Sequence, residues 1–141
     1  MTAGPAMNAQ DFYNRSIGGE GRLVDERAAE WERTYAMFTH LALLAVHFFP
    51  VPVIPSLVMW LIKRDRSPYI DDHGREAVNF QLSLVIYALL IVPLAGLITC
   101  GVGFVLWIPV YALGIVGMIL AAIAANKGQF YRYPATIRFL H

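Results

Sequence analysis

From Ala77 to Asn126 the chain carries no Asp, Glu, Lys or Arg. No other feature narrows the possible folds as much. An uncharged block of that length has nothing to present to water, and a helix of about 20 apolar residues matches the hydrocarbon thickness of a bilayer. Only helices or closed barrels satisfy their backbone in lipid, and the block has no strand alternation. Pro93 and Pro109 are expected to kink it. Thr99, Cys100, Gly101 and Gly103 form an uncharged turn near its middle. Two helices follow, over about 74–98 and 102–126, each roughly 37 Å long. The "NKGQ" run from Asn126 supplies the stop.

Composition agrees. Only 15% of the residues are charged and 57% are hydrophobic, whereas a soluble domain carries about a quarter charged. A net charge of +1 leaves no concentrated basic face for nucleic acid. Cys100 is the single cysteine, so no intrachain disulfide exists; it reads as a small buried hydrophobe. Met1–Gln10 has neither the basic start nor the apolar core of a secretory signal. Residues 1–22 are aperiodic and read as a disordered tail, and 23–141 as one helical membrane domain.

Tyr35–Ile62 is also free of formal charge, but Pro50, Pro52 and Pro55 interrupt it and remove three backbone donors. The segment divides into helices over about 24–49, capped by Asp25, and about 55–64. The pieces in lipid are short, ~22 and ~15 Å. They form either one broken span or a hairpin that enters and returns. The basic residues fall into three groups, Arg15–Arg33, Lys63–Arg75 and Lys127–Arg138. Placing all three in the cytoplasm favours the hairpin and puts both termini there. The expected fold is an all-α integral membrane bundle of three to four helices, with the lipid bilayer as its main partner.

Polar residues cluster at the head of the long uncharged block. Asp71 or Asp72 suits a helix N-cap, with the regular helix starting at Gly74 or later. Asp72, His73 and Glu76 carry oxygen and nitrogen donors, and His73 and Glu76 stand one turn apart. One such pair falls short of the doubled motif a metal-binding bundle needs, and no nucleophile motif stands nearby. Neither catalysis nor a cofactor is expected. Asn79 and Gln81 lie deeper and must find helix partners or line a polar cleft. His40 and His47, two turns apart, share a face. Convergence of His40, His47, Asn79 and Gln81 on a cleft indicates a transporter or channel subunit; dispersal into helix contacts indicates a scaffold. Gly117, Ala121 and Ala125 repeat every four residues and permit close helix approach or self-association. Tyr131, Arg132 and Tyr133 read as an aromatic and basic belt at the membrane surface. His40, Asp72, His73, Glu76, Asn79, Gln81, Tyr131, Arg132 and Tyr133 are the candidate functional or partner contacts.

His40 with the proline break, then His73, Gly74, Glu76, Ala77, Asn79, Phe80 and Gln81, then Tyr131, Arg132, Tyr133 and Pro134, together carry a family pattern. Over about 34–140 the chain resembles the Tic-twenty-like family of small bacterial multi-pass membrane proteins, named after a chloroplast import subunit. The resemblance implies four membrane helices in a bacterial inner membrane, a domain of unknown function without a known catalytic residue, and a distant relation to translocation components.

Overall fold

The structure, a computed structural model, describes residues 22–47 and 53–140. Most of the tail, Pro50 and Pro52 lie outside the described residues, as does the side chain of His47. Helix α1 spans Glu30–Leu41 and passes into a 3-10 segment, Ala42–His47. Helix α2 is Val53–Lys63 and α3 is Pro68–Ile86. A π-turn, Tyr87–Ile91, joins α3 to α4, Val92–Ile98. A 3-10 stretch, Val102–Leu106, leads into α5, Trp107–Asn126. No β-strand occurs among the described residues; an isolated bridge links Val24 and Gln129.

Local chemistry sets the boundaries. The expected cap at Asp25 is not used: its Oδ1 accepts from Arg27 N in a turn. Helix α1 begins five residues later, with Glu30 and Glu32 in the first turn, where carboxylates complement the helix dipole. Pro55 falls in the first turn of α2, where its missing N–H has no partner to lose. Helix α3 starts at Pro68 rather than Gly74. Ser67, not an aspartate, is the N-cap and accepts from Ile70 N, and Pro68 preorganises the first turn. Gly74 lies inside α3 because a Cβ there would come within 2.2 Å of Trp60 Cδ1.

The two later prolines act differently. The π-turn sits immediately before Pro93 and absorbs the carbonyl that proline leaves without a donor. Pro109 stands in the first turn of α5, directly after the 3-10 stretch, where its missing N–H costs no helical bond. At the intervening turn Thr99 Oγ1 donates to the Ala95 carbonyl and accepts from Gly103 N. Gly101 adopts φ +100° and a Cβ on Gly103 would strike the Ala95 backbone at 2.3 Å. Cys100 is exposed at this turn, not buried.

Helices α1 and α2 run antiparallel. Lys63 lies over the Trp31 ring, Tyr35 OH donates to the Met59 carbonyl, and Ser56 Oγ donates to the Thr39 carbonyl. The residue numbers rise on one helix as they fall on the other, so the segment goes out and returns. Helix α1 packs against α5 and α3, and α2 packs against α3. Gly117, Ala121 and Ala125 are all buried in this packing. A Cβ on Gly117 would lie 3.0 Å from Phe80 Cζ, and Ala125 meets Ala28, Ala36 and Tyr69. The small-residue face is thus filled within the chain and is not available for self-association.

The chain leaves α5 through Gly128, at φ +76°, which returns Gln129 N to the Ala124 carbonyl. Residues 129–140 then run back along α3 without regular secondary structure and form a strap.

Candidate functional site

The strap's polar backbone has no ladder to join, so α3 side chains supply its partners. Glu76 Oε1 accepts from Tyr133 N at 2.9 Å. Asn79 Oδ1 accepts from Phe139 N at 3.0 Å and Leu140 N at 2.9 Å, while its Nδ2 donates to the Leu140 carbonyl. Ser83 Oγ accepts from Ile137 N, and Tyr87 OH donates to the Ala135 carbonyl. The steps 76, 79, 83 and 87 follow the helical repeat, so the four side chains share one face. Glu76, Asn79 and Ser83 are buried, where each unmade hydrogen bond is costly.

A second set of contacts closes the seam near its start. His40 Nδ1 is 2.9 Å from Tyr133 OH, and His40 Nε2 is 2.8 Å from His73 Nδ1. Both imidazoles are fully buried. A neutral imidazole donates through one nitrogen and accepts through the other, so proton order runs one way along the Tyr133–His40–His73 chain. His73 Nε2 has no hydrogen bond of ordinary geometry, although the Gln129 backbone lies close to the ring. Tyr133 stacks on Phe80, with centroids 3.8 Å apart and planes at 8°. Burial, then the neighbouring Tyr131 and Glu76, pushes the Tyr133 hydroxyl well above its ordinary range, so it stays a neutral donor. Tyr131 and Tyr133 are 6% and 4% exposed, so the expected surface belt is an internal contact; only Arg132 reaches outward.

Arg132 makes a two-pronged pair with Asp72, each contact 2.6 Å. That hydrogen-bonded pairing is the main reason its guanidinium holds its proton more firmly than usual. Glu76 pairs with Arg138 at 3.4 Å. The expected donor set therefore separates: Asp72 turns to Arg132, His73 to His40, and Glu76 to the strap. No group of three or more His, Cys, Asp or Glu side chains suited to a metal ion occurs among the described residues. The polar residues expected to mark a path separate as well. His40 joins His73 and Tyr133, Asn79 holds the strap end, and Gln81 Nε2 donates to Ser56 Oγ at 2.6 Å.

Sequence reasoning missed Ser56, Ser83 and Tyr87. For Ser83 and Tyr87 the signal was present: extending the spacing of Glu76 and Asn79 by fours reaches both. Ser56 carried no comparable signal, because its role depends on where α2 lies.

These contacts define a class: a small helical protein with two long apolar helices, whose polar seam is consumed in holding its own strap. Residues 31–140 match the magnetosome magnetite crystal formation protein family, MamF/MmsF, and the chain belongs to that family. The match overturns the Tic-twenty-like resemblance. The residues that carried the resemblance lie inside the matched segment, and their work is helix–strap packing, a need that does not single out one family. No curated protein and no solved structure matches the chain.

Proposed function

We propose that this chain is a non-enzymatic, multi-pass membrane component of magnetite crystal formation, and that its strap-bound helical end is the surface it offers to partners. One observation carries the membrane part. The continuous helical stretches Pro68–Ile98 and Val102–Asn126 are long and apolar enough to cross a bilayer, yet only 22% of the most apolar window of each is buried. The core helix of a soluble protein would be mostly buried. Here Leu97, Ile98, Val102 and Ile108 are each at least 70% exposed, and lipid is the solvent that accommodates such a surface.

Helices α1 and α2 span ~18 and ~17 Å at 1.5 Å per residue, too short to cross a ~30 Å core separately. Their antiparallel pairing makes them a re-entrant hairpin. The ends then sort themselves: Val24 contacts Gln129 and Asp72 contacts Arg132, so the first described residues, the start of α3 and the strap occupy one side. That side carries the described basic residues from Arg22 to Arg33 with those of the other two groups, and on this reading it faces the cytoplasm, across a bacterial inner membrane or the magnetosome membrane. The non-enzymatic reading rests on the polar side chains being spent on internal hydrogen bonds.

Carbonate extraction of membranes tests the first claim: the protein stays in the pellet, and release into the supernatant refutes it. Complementation of a deletion strain of a magnetite-forming bacterium tests the second. The chain is expected to restore magnetite crystal size, and a strap-loosening Asn79→Leu variant to restore it only in part.

A further inference from the structure

The short hairpin divides the molecule into two unequal halves. The uncharged part of α2, residues 53–62, descends ~15 Å at about 1.5 Å per residue, half of a ~30 Å hydrocarbon core. Trp60 marks its polar end, where Nε1 donates to Asp71 Oδ1 at 2.8 Å. At the inner end Val53 is buried against Val78, with Leu82 and Val85 packed beside them. On the α1 side of the hairpin Leu43 packs with Phe80 and Met118. The strap lies along the same half, its contacts on α3 running from Asp72 to Tyr87.

Beyond that level two helical segments continue together. Helix α4 packs on the π-turn and on the 3-10 stretch. Gly96 and Gly103 bring the two segments close: a Cβ on Gly96 would stand 2.7 Å from the Phe104 ring. The outer faces carry Leu89, Leu94 and Val105, all exposed. One half thus holds four helices and a strap, and the other holds two closely packed segments. With a helix about 10–12 Å across, the two extra helices alone add roughly 200 Å² of cross-section to the first half.

A body wider in one leaflet than in the other strains a flat bilayer, because lipid must deform to cover the narrow apolar half. Bending the bilayer so that the leaflet around the wide half is convex gives that half its extra area. Helices that enter one leaflet alone are sensitive to curvature on the same ground.

We propose that the chain is a membrane wedge, which collects in and supports bilayer bent with its cytoplasmic leaflet convex. Its partner is the lipid bilayer itself, and the shape it fits is a membrane pocket bulging into the cytoplasm. Hairpin and strap set the width of one end, and Gly96 and Gly103 set the narrowness of the other. The wedge rests on the multi-pass reading above and adds a preferred membrane shape to it.

The test is lateral sorting in giant vesicles of phosphatidylcholine that hold the full chain in both orientations. An impermeant fluorescent maleimide, added outside, marks each molecule by the end that faces out. Native Cys100, exposed at the narrow end, marks narrow-end-out molecules. Arg66→Cys in a Cys100→Ser background marks wide-end-out molecules, at a position exposed beside the start of α3. A thin tether is pulled outward, which makes its outer leaflet strongly convex, and the protein signal is divided by that of a lipid dye. Wide-end-out molecules should be enriched severalfold in the tether over the vesicle body, and narrow-end-out molecules depleted. Each orientation is the control for the other, since size and mobility are the same in both. Equal ratios for the two labels would overturn the proposal, as would depletion of the wide-end-out molecules. Labels that carbonate strips from the vesicles would instead refute the membrane reading itself, and the wedge with it.

Discussion

Replacing Asn79 by Leu separates the strap's hold on α3 from the packing of the helices. The substitution removes three hydrogen bonds at once, two accepted from Phe139 N and Leu140 N and one donated to the Leu140 carbonyl. Each is worth about 0.5–1.5 kcal/mol net, and more where the abandoned backbone group stays dry. Here the abandoned groups sit at the strap's end, where Phe139 is half exposed, so they can turn to water. Leucine also adds apolar area at a buried site. The balance is a loss of about 2 kcal/mol, confined to the last residues of the strap. Hydrogen exchange in micelles reads it directly: the amides of Phe139 and Leu140 should exchange about 30-fold faster. Those of α3 and α5 should stay protected. Ser83→Ala gives an internal comparison, since it removes the acceptor of Ile137 N alone and should release that amide only. Unchanged exchange at 139 and 140, or a uniform acceleration across the helices, would refute the account.

Gly117→Val should destabilise by about 1–3 kcal/mol by overpacking, since a Cβ there would already stand 3.0 Å from Phe80 and 3.1 Å from Tyr133; loss of the near-ultraviolet aromatic dichroism would report it, and an unchanged spectrum and melting point would count against the stack. Tyr133 has its folded-state pKa raised above the ordinary value of 10, so its contribution is complete below pH 10 and declines as pH rises through the folded value. Alkaline titration should therefore loosen the strap, and Tyr133→Phe should remove that component of the alkaline transition. For topology, single cysteines at 33, 66 and 132 in a Cys100→Ser background should all be protected from an external thiol reagent. Labelling at 33 alone would contradict the re-entrant hairpin.

Helix content and the long apolar segments were legible because both are written locally, in the uncharged run and its uncharged turn. Helix ends were less so. Gly74 suggested a start by propensity, but its missing side chain serves Trp60, a neighbour on another helix, while Ser67 and Pro68 set the true start. The polar residues of the seam were visible as a cluster, and their partners were not. Asp72 and Arg132 are 60 positions apart, and nothing local distinguishes a carboxylate that will face an arginine from one that will face a metal. Tyr131 and Tyr133 looked superficial because they follow a helix beside basic residues. Their burial depends on Gly117 and Phe80, which meet them only once the strap has turned back.

The distance along the chain between stripe and strap also has a meaning in time. Glu76 and Tyr133 are 57 positions apart, so at about 5–20 residues per second the ribosome needs roughly 3–11 s to deliver the strap after the stripe. For those seconds Glu76, Asn79, Ser83 and Tyr87 stand with their final partners not yet made. Biogenesis of this protein therefore includes an interval in which α3 is more polar than it will ever be again.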